Sequence, residues 1–234
     1  MAITLLGVPP WTASPLQAQW TPLASGTTAS LRGLSVVDGR TAWASGTKGT
    51  VVHTTDGGAT WIVSTIPEGA RFDLRSVHAR SARVAHVAAT AGRIWRTTDG
   101  GATWSLRYQA SDTTVFLDAI AFWDDANGMA LGDPIGGRFF LLVTRDGGET
   151  WREVPFDERP VTHDGEAAFA ASGSSLLLQG RADSAVAWIG SGGLAARVHR
   201  SVNGGRQWVA YDTPVRQGES ATGIFSVADV PGGG

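Results

Sequence analysis

The sequence contains no cysteine, which excludes disulfide bonds, thiolate metal sites and a cysteine nucleophile. It has no basic excess either, since 19 lysines and arginines stand against 21 aspartates and glutamates, for a formal charge of −2. Proteins that bind the phosphate backbone need a cationic surface. No apolar run approaches the roughly 20 residues of a membrane-spanning helix. We therefore predict no nucleic-acid partner and no membrane span.

Several signatures of catalysis are also absent. The five histidines have none of the spacings that hold a metal ion. The segment Gly190-Ser191-Gly192-Gly193 precedes no predicted helix, so it does not form a dinucleotide-binding loop. The Gly-x-Ser-x-Gly elbow of serine hydrolases does not occur. We predict no metal site and no cofactor.

What the chain does contain is a repeated eight-residue segment, which we call the turn octet. Its pattern is Ser/Thr-x-Asp/Asn-x-Gly-x-Thr-Trp, with Gln207 in place of Thr in the last copy. Successive closing tryptophans lie 43, 47 and 57 residues apart, which is typical of a repeat protein. The four copies begin and end at Thr54 and Trp61, Thr97 and Trp104, Thr144 and Trp151, and Ser201 and Trp208.

The composition of the octet predicts a hairpin turn followed by a packing anchor. An Asp or Asn side chain accepts hydrogen bonds from backbone N–H groups further along the turn. The glycines adopt backbone angles that a Cβ would forbid, and the tryptophan fills space between packed sheets. Four identical catalytic sites in one small domain would be unusual, so we assign these positions a structural role: Asp56, Gly58, Trp61, Asp99, Gly101, Trp104, Asp146, Gly148, Trp151, Asn203, Gly205 and Trp208.

The octets resemble the Asp boxes, or BNR repeats, of the sialidase-like β-propellers. Those families place the box between the third and fourth strands of a four-stranded antiparallel blade. The resemblance implies an all-β propeller, and short strands separated by Gly, Asp and Pro agree with it. We expect one propeller domain over residues 19–234, with blades at about 30–67, 72–108, 115–155 and 165–212.

The two ends of the chain predict two further strands without blades. Residues 19–25 read as a last strand and residues 223–229 as a first strand, so we expect an incomplete ring of four blades plus two orphan strands. Residues 1–18 contain a short apolar run and read as a leader or the remnant of a signal peptide. This interpretation predicts a periplasmic or secreted protein.

In a propeller the first strand of each blade lines the central channel. Aligning these strands on their leading apolar residue gives one channel position for each blade: Arg32, Arg75, Asp118 and Glu166, with Phe225 on the orphan strand. Charged side chains on apolar strands are costly unless they pair or face water. They either pair with one another and fill the channel, or form a ligand-binding surface for charged and hydroxyl groups.

Within this class the sequence is similar to the photosystem II stability/assembly-factor-like propellers of bacteria. The similarity lies in the repeated blade ends, in the small residues of the segment 42–46, and in the segments Leu31-Arg32-Gly33 and Leu74-Arg75-Ser76. It implies a non-enzymatic scaffold that binds other proteins outside the cytoplasm. Asp118 and Glu166 depart from an all-arginine surface, so the resemblance names no partner beyond a protein or a small polar ligand.

The alternative is a glycoside hydrolase or carbohydrate-binding propeller. Hydrolysis of glycosides needs two carboxyl groups, and Asp118 and Glu166 would supply them if their blades are adjacent. A sialidase fits less well, because that family uses three arginines, a tyrosine nucleophile and an Arg-Ile-Pro motif. This sequence has two arginines at the inner position, places Tyr108 and Tyr211 on outer strands, and lacks the motif.

Overall fold

A computed structural model describes residues 21–170, 172–181 and 184–230 of the 234-residue chain. These residues form antiparallel β-sheets joined by turns and three short 3₁₀ segments. The predicted all-β fold is confirmed. In the described residues, no helix has both the length and the apolar character to cross a bilayer.

Four of the sheets have four strands each, and we call them blades one to four. Blade one contains β1 (Leu31–Val36), β2 (Ala42–Gly46), β3 (Thr50–Thr54) and β4 (Ile62–Thr65). Blade two contains β5 (Leu74–Ala79), β6 (Ala85–Ala89), β7 (Arg93–Thr97) and β8 (Ser105–Gln109). Blade three contains β9 (Leu117–Phe122), β10 (Gly128–Ile135), β11 (Arg138–Thr144) and β12 (Arg152–Glu153).

The chain after blade three departs from this order. It forms β13 (Glu166–Ala167), β14 (Leu176–Gln179), β15 (Val186–Gly190), β16 (Gly192–Gly193), β17 (Arg197–Ser201) and β18 (Val209–Asp212). Blade four consists of β14, β15, β17 and β18, whereas β13 and β16 pair with each other in a separate two-stranded ribbon. The predicted start of blade four at about residue 165 is therefore wrong.

Consecutive blades are joined along their first strands. The strand β1 packs against β5, β5 against β9, and β9 against β14. The Ser35 hydroxyl accepts a hydrogen bond from the Ala79 amide at 3.0 Å, and Ser76 does the same for Ile120 at 3.1 Å. One buried apolar cluster lies between each successive pair of blades. Four-stranded blades arranged in this way form a β-propeller.

Each turn octet closes on itself through the same hydrogen bonds. In the first, the Thr54 hydroxyl donates to Asp56 at 2.8 Å and accepts from the Gly58 amide at 2.9 Å. The Thr60 amide and hydroxyl both donate to the Asp56 carboxylate, at 2.9 and 2.6 Å. The octets that begin at Thr97 and Thr144 repeat these bonds. The fourth builds the same turn around Ser201 and Asn203.

The second glycine of each later octet seats the turn on the preceding blade. Gly148 has φ +80°, and a Cβ there would lie 2.3 Å from Nε2 of His86 in blade two. Gly205 has φ +84° and faces Met129 of blade three at the same distance. His86 and Met129 occupy matching positions on the second strands of their blades. Glycine is required here because it permits both the left-handed backbone and the close approach.

Blade one carries an exposed apolar surface at the place where later blades are covered. Leu34 and Val36 on β1 are 57% and 66% exposed. The matching residues of β5, Val77 and Ala79, are 4% and 7% exposed because blade one covers them. In the described residues, no four-stranded sheet covers this side of blade one.

The two predicted orphan strands are not regular strands. Residues 21–25 belong to no strand, and residues 1–20, including the predicted leader, lie outside the described residues. Residues 224–230 form no strand, and separate backbone hydrogen bonds hold them, such as Ile224 N–H to the Ser191 carbonyl at 3.0 Å and Val227 N–H to the Ser174 carbonyl at 2.8 Å. Gly223 contributes an isolated bridge to Gly192.

The octet aspartates predict a loss of stability in acid. Hydrogen bonds from Thr60 hold the pKa of Asp56 at about 2, below its ordinary 3.8, and Asp99 and Asp146 behave alike. A lowered folded-state pKa stabilises the fold above pH 3.8, and this stability is lost as the pH falls through about 2. Urea midpoints between pH 5 and 2 should fall less steeply for Asp56→Asn and more steeply for Asn203→Asp. Equal slopes in both variants would contradict this account.

Adding a methyl group at Gly148 should loosen blade three from blade two. We expect Gly148→Ala to lower the free energy of unfolding by on the order of 3 kcal/mol, combining left-handed strain with overpacking. Urea denaturation measures the change. Gly39→Ala is the matched control, because a Cβ at Gly39 contacts nothing within 4 Å and its backbone is not left-handed. Similar effects for both substitutions would count against the packing role of the octet.

Candidate functional site

A backbone irregularity sets the direction of three predicted site residues. The ladder between the first and second strands shifts between Leu31 and Gly33, between Leu74 and Ser76, and between Leu117 and Ala119. The skipped residues are Arg32, Arg75 and Asp118. A bulged residue leaves the ladder and its side chain is re-aimed. The three blades therefore present a charged side chain at the same point of their first strands.

The two arginines share one carboxylate. Asp73, the residue before β5, accepts from Nε of Arg32 at 3.2 Å and from Nη2 of Arg75 at 2.9 Å. The side chains of Arg32, Asp73 and Arg75 are 35%, 23% and 23% exposed. One negative charge thus lies between two positive ones at a surface that solvent reaches. We call these three residues the arginine pair site.

The next blade continues the site with an aromatic ring and a buried carboxyl group. The guanidinium of Arg75 lies 5.0 Å from the centre of the Phe116 ring, which is a cation–π distance. Asp118, two residues later, is only 1% exposed, and its Oδ2 has no hydrogen-bond partner among the described residues. Asp118 therefore lies near Arg75, but its carboxyl group is enclosed.

Burial is the main cause that raises the pKa of Asp118 well above its ordinary value, and the nearby Asp133 carboxyl raises it further. Arg75 acts in the opposite direction. Burial also raises the pKa of Asp133, although the Ala168 amide opposes it. A buried carboxyl group and a half-buried one that lie close together both favour their neutral forms.

Glu166 lies elsewhere and does not belong to this ring. It is on the ribbon strand β13, and its side chain is fully buried against Arg197 and His199 of β17. Its oxygens accept from Arg197 Nε at 3.1 Å, from His199 Nε2 at 2.8 Å, and from the Ser191 hydroxyl. Burial alone would raise the pKa of Glu166, but these hydrogen bonds outweigh it and lower the pKa to about 2. Glu166 therefore ties the ribbon to blade four.

The position in blade four that matches Arg32 is Ser174. Leu176 has the register of Leu34, and each lies two residues after the position in question. The sequence alignment placed Glu166 at this position. In the structure, the first strand of blade four is the leucine-rich β14 instead. Phe225, the channel position predicted for the orphan strand, stacks on Phe169 with ring centres 4.2 Å apart.

Sequence reasoning missed Asp73 and Asp133. Asp73 directly precedes Leu74-Arg75, so a carboxylate within two residues of a predicted site arginine was an available signal. Asp133 lies within β10, which extends to Ile135, and no repeated pattern in the sequence marks it. Among the described residues, no group of three or more His, Asp or Glu side chains is arranged to hold a metal ion.

The sequence matches no protein-family model and no curated protein sequence. Solved structures resemble the fold. An ancestral GH74 enzyme aligns with a TM-score of 0.57 at 15% identity, covering 83% of this chain and 25% of that one. The GH74 enzyme of Niastella koreensis aligns at 0.51 and 14% identity, covering 79% and 31%. Ycf48 of Cyanidioschyzon merolae aligns at 0.48 and 18% identity, covering 84% and 77%.

These similarities concern the propeller fold. All three identities are below one fifth. The chain spans about a third or less of the length of the two GH74 enzymes. They therefore show the fold of this chain and not the chemistry of a site.

Asp118 and Glu166 should respond in opposite ways when each carboxyl group is replaced by an amide. Glu166→Gln breaks a buried ion pair and should cost about 3–5 kcal/mol of unfolding free energy. Asp118→Asn should stabilise the fold at pH 7, because a raised folded-state pKa means that stability falls as the pH rises. The gain should shrink at pH 4. Urea denaturation at both pH values measures these effects, and a stabilising Glu166→Gln or a strongly destabilising Asp118→Asn would contradict the assignment.

Proposed function

We propose that this chain is an exported, non-enzymatic β-propeller scaffold that binds a protein partner, or a small polar ligand, at the arginine pair site. The observation that carries the proposal is the sharing of Asp73 by Arg32 and Arg75. Paired arginines that only balanced a structural charge would need a carboxylate each. Here one positive charge is left over at an accessible surface.

The unused donors of the two arginines define what would bind. A guanidinium has five N–H donors. Arg32 donates to Asp73 through Nε and Arg75 reaches it through Nη2, so both Nη groups of Arg32 and Nη1 of Arg75 have no partner among the described residues. Carboxylates accept two parallel hydrogen bonds from an arginine. We infer that the ligand presents a carboxylate, or a similar planar anion, beside the Phe116 ring.

The sequence resemblance adds a class of partner to this chemistry. The turn octets are assigned to the Asp-box type on their sequence pattern, and the arginine-bearing first strands resemble those of the assembly-factor-like propellers. Members of that family bind proteins outside the cytoplasm. A protein segment with an accessible carboxylate, met in the periplasm or outside the cell, is the partner that both arguments favour.

A glycoside hydrolase that uses Asp118 and Glu166 has less support. Glu166 is fully buried and holds Arg197 and His199, so it offers no acid or base to a substrate. Asp118 has the raised pKa expected of a general acid, but it is only 1% exposed, so its carboxyl group is enclosed and not presented to a substrate. The GH74 likeness concerns the fold and supplies no such partner.

Substitution of the arginines tests the proposal. On an array of immobilised peptides that vary in carboxylate content, we expect the protein to select acidic peptides. Arg75→Ala should weaken this binding by about tenfold or more, the value of a charge-assisted hydrogen bond. The control is Arg216→Ala, an exposed arginine paired locally with Glu219. Equal binding by both variants, or turnover of aryl glycosides by the wild-type chain, would overturn the proposal.

A further inference from the structure

A cleft of about 790 Å³ opens on the outer side of the propeller between blades three and four. Its floor contains Trp123, Val143 and Val154, and three arginines, Arg145, Arg152 and Arg206, line it. We call it the rim cleft. It is separate from the arginine pair site, which lies on the first strands of blades one and two. The repeat provides a direct comparison, because the same boundary occurs between blades two and three.

At the boundary between blades two and three, an ion-pair cluster links the outer parts of the two blades. Glu149, in the third octet, accepts from Arg96 of β7 and from Arg107 of β8, the latter at 3.0 Å. Arg96 directly precedes the octet of its own blade, and Arg107 follows the closing tryptophan by three residues. A carboxylate from the later blade thus sits between two arginines of the earlier blade.

The next boundary has the same positions but different chemistry. Val143 and Val154 occupy the places of Arg96 and Arg107, counted from the octet of blade three. Arg206 occupies the place of Glu149 in the fourth octet. The outer strand β12 is only two residues long, because Pro155 lacks the N–H that would extend the ladder. The boundary therefore stays open, with an apolar floor where its neighbour has charges.

The arginines of the rim cleft have no acidic partner within the fold. Among the described residues, Arg145, Arg152 and Arg206 form no ion pair and no side-chain hydrogen bond. All three are exposed. By the ordinary count of five for each guanidinium, they offer about 15 N–H donors.

Three acidic residues also line the cleft, but two are already engaged. Asp146 accepts from Thr144 and Thr150 within its octet. Glu153 accepts from Tyr108 at 2.8 Å and from Arg159 at 3.1 Å. Glu158 is the third, and it forms no salt bridge among the described residues. Because Arg159 neutralises Glu153, the three arginines face two remaining negative charges, those of Asp146 and Glu158, and the small positive excess favours an anion.

We propose that the rim cleft binds a short peptide segment in which acidic residues alternate with aliphatic ones. A carboxylate of the peptide pairs with Arg206 and its neighbours, as Glu149 pairs with two arginines at the preceding boundary. An aliphatic side chain covers Val143, Val154 and Trp123. In an extended segment, successive side chains point to opposite sides. The aliphatic side chains then face the apolar floor, and the carboxylates face the arginines. This site is independent of the arginine pair site.

A fluorescein-labelled Leu-Glu-Leu-Glu-Leu peptide tests the proposal by fluorescence anisotropy. We expect it to bind, and a Leu-Lys-Leu-Lys-Leu peptide not to bind. Arg206→Gln should weaken binding by about tenfold. Arg206→Glu should weaken it further, because the new carboxylate occupies the anion position. Glu158→Gln should strengthen binding, since it removes the competing charge.

The controls separate binding at the rim cleft from binding at the arginine pair site and from general charge effects. Arg40→Gln changes an exposed arginine of blade one that forms no salt bridge among the described residues, and it should leave binding unchanged. Binding is also measured in the Arg75→Ala background, which removes the arginine pair site, so failure of that site and failure of the rim cleft are distinguishable. Equal binding of the lysine peptide, unchanged binding by Arg206→Glu, or equal binding of a peptide with serine in place of leucine would overturn the proposal. A urea midpoint for Arg206→Gln close to wild type confirms that the variant is folded.

Discussion

The boundaries between blades depend on the contact between an octet glycine and the second strand of the preceding blade. Each octet is closed by its own Asp or Asn, so the turn is rigid before it meets its neighbour. Gly148 against His86 and Gly205 against Met129 then bring backbone and side chain closer than a Cβ would allow. One local turn therefore fixes both the hairpin of its blade and the spacing of the sheets.

The same repeated frame carries different chemistry at different boundaries. On the inner side, the bulges present Arg32, Arg75 and Asp118 at one level, and Asp73 couples the two arginines. On the outer side, the residue after the octet glycines differs between boundaries. Glu149 forms ion pairs with the preceding blade, whereas Arg206 forms none among the described residues. Function in such a fold depends on single substitutions at repeated positions, because the backbone that presents them does not change.

The octets determined how much could be predicted from the sequence. Their turns and the order of strands around them are local, so the pattern predicted the all-β fold and three of the blades closely. Glu166 was misplaced because pairing of β13 with β16 depends on contacts 25 or more residues apart, such as Ser191 with Glu166. Asp73 was missed because it belongs to a connection, where the repeat gives no alignment.

The unequal covering of the blades has a consequence for local opening of the structure. Blades two and three each contribute to two of the three buried clusters, whereas blade one contributes to the first alone and exposes Leu34 and Val36. Separating an end blade breaks one apolar interface, but separating an inner blade breaks two. Repeat arrays unfold according to such nearest-neighbour terms. Among the described blades, backbone amides in β2 and β3 should therefore exchange with deuterium faster than their counterparts in β6 and β10.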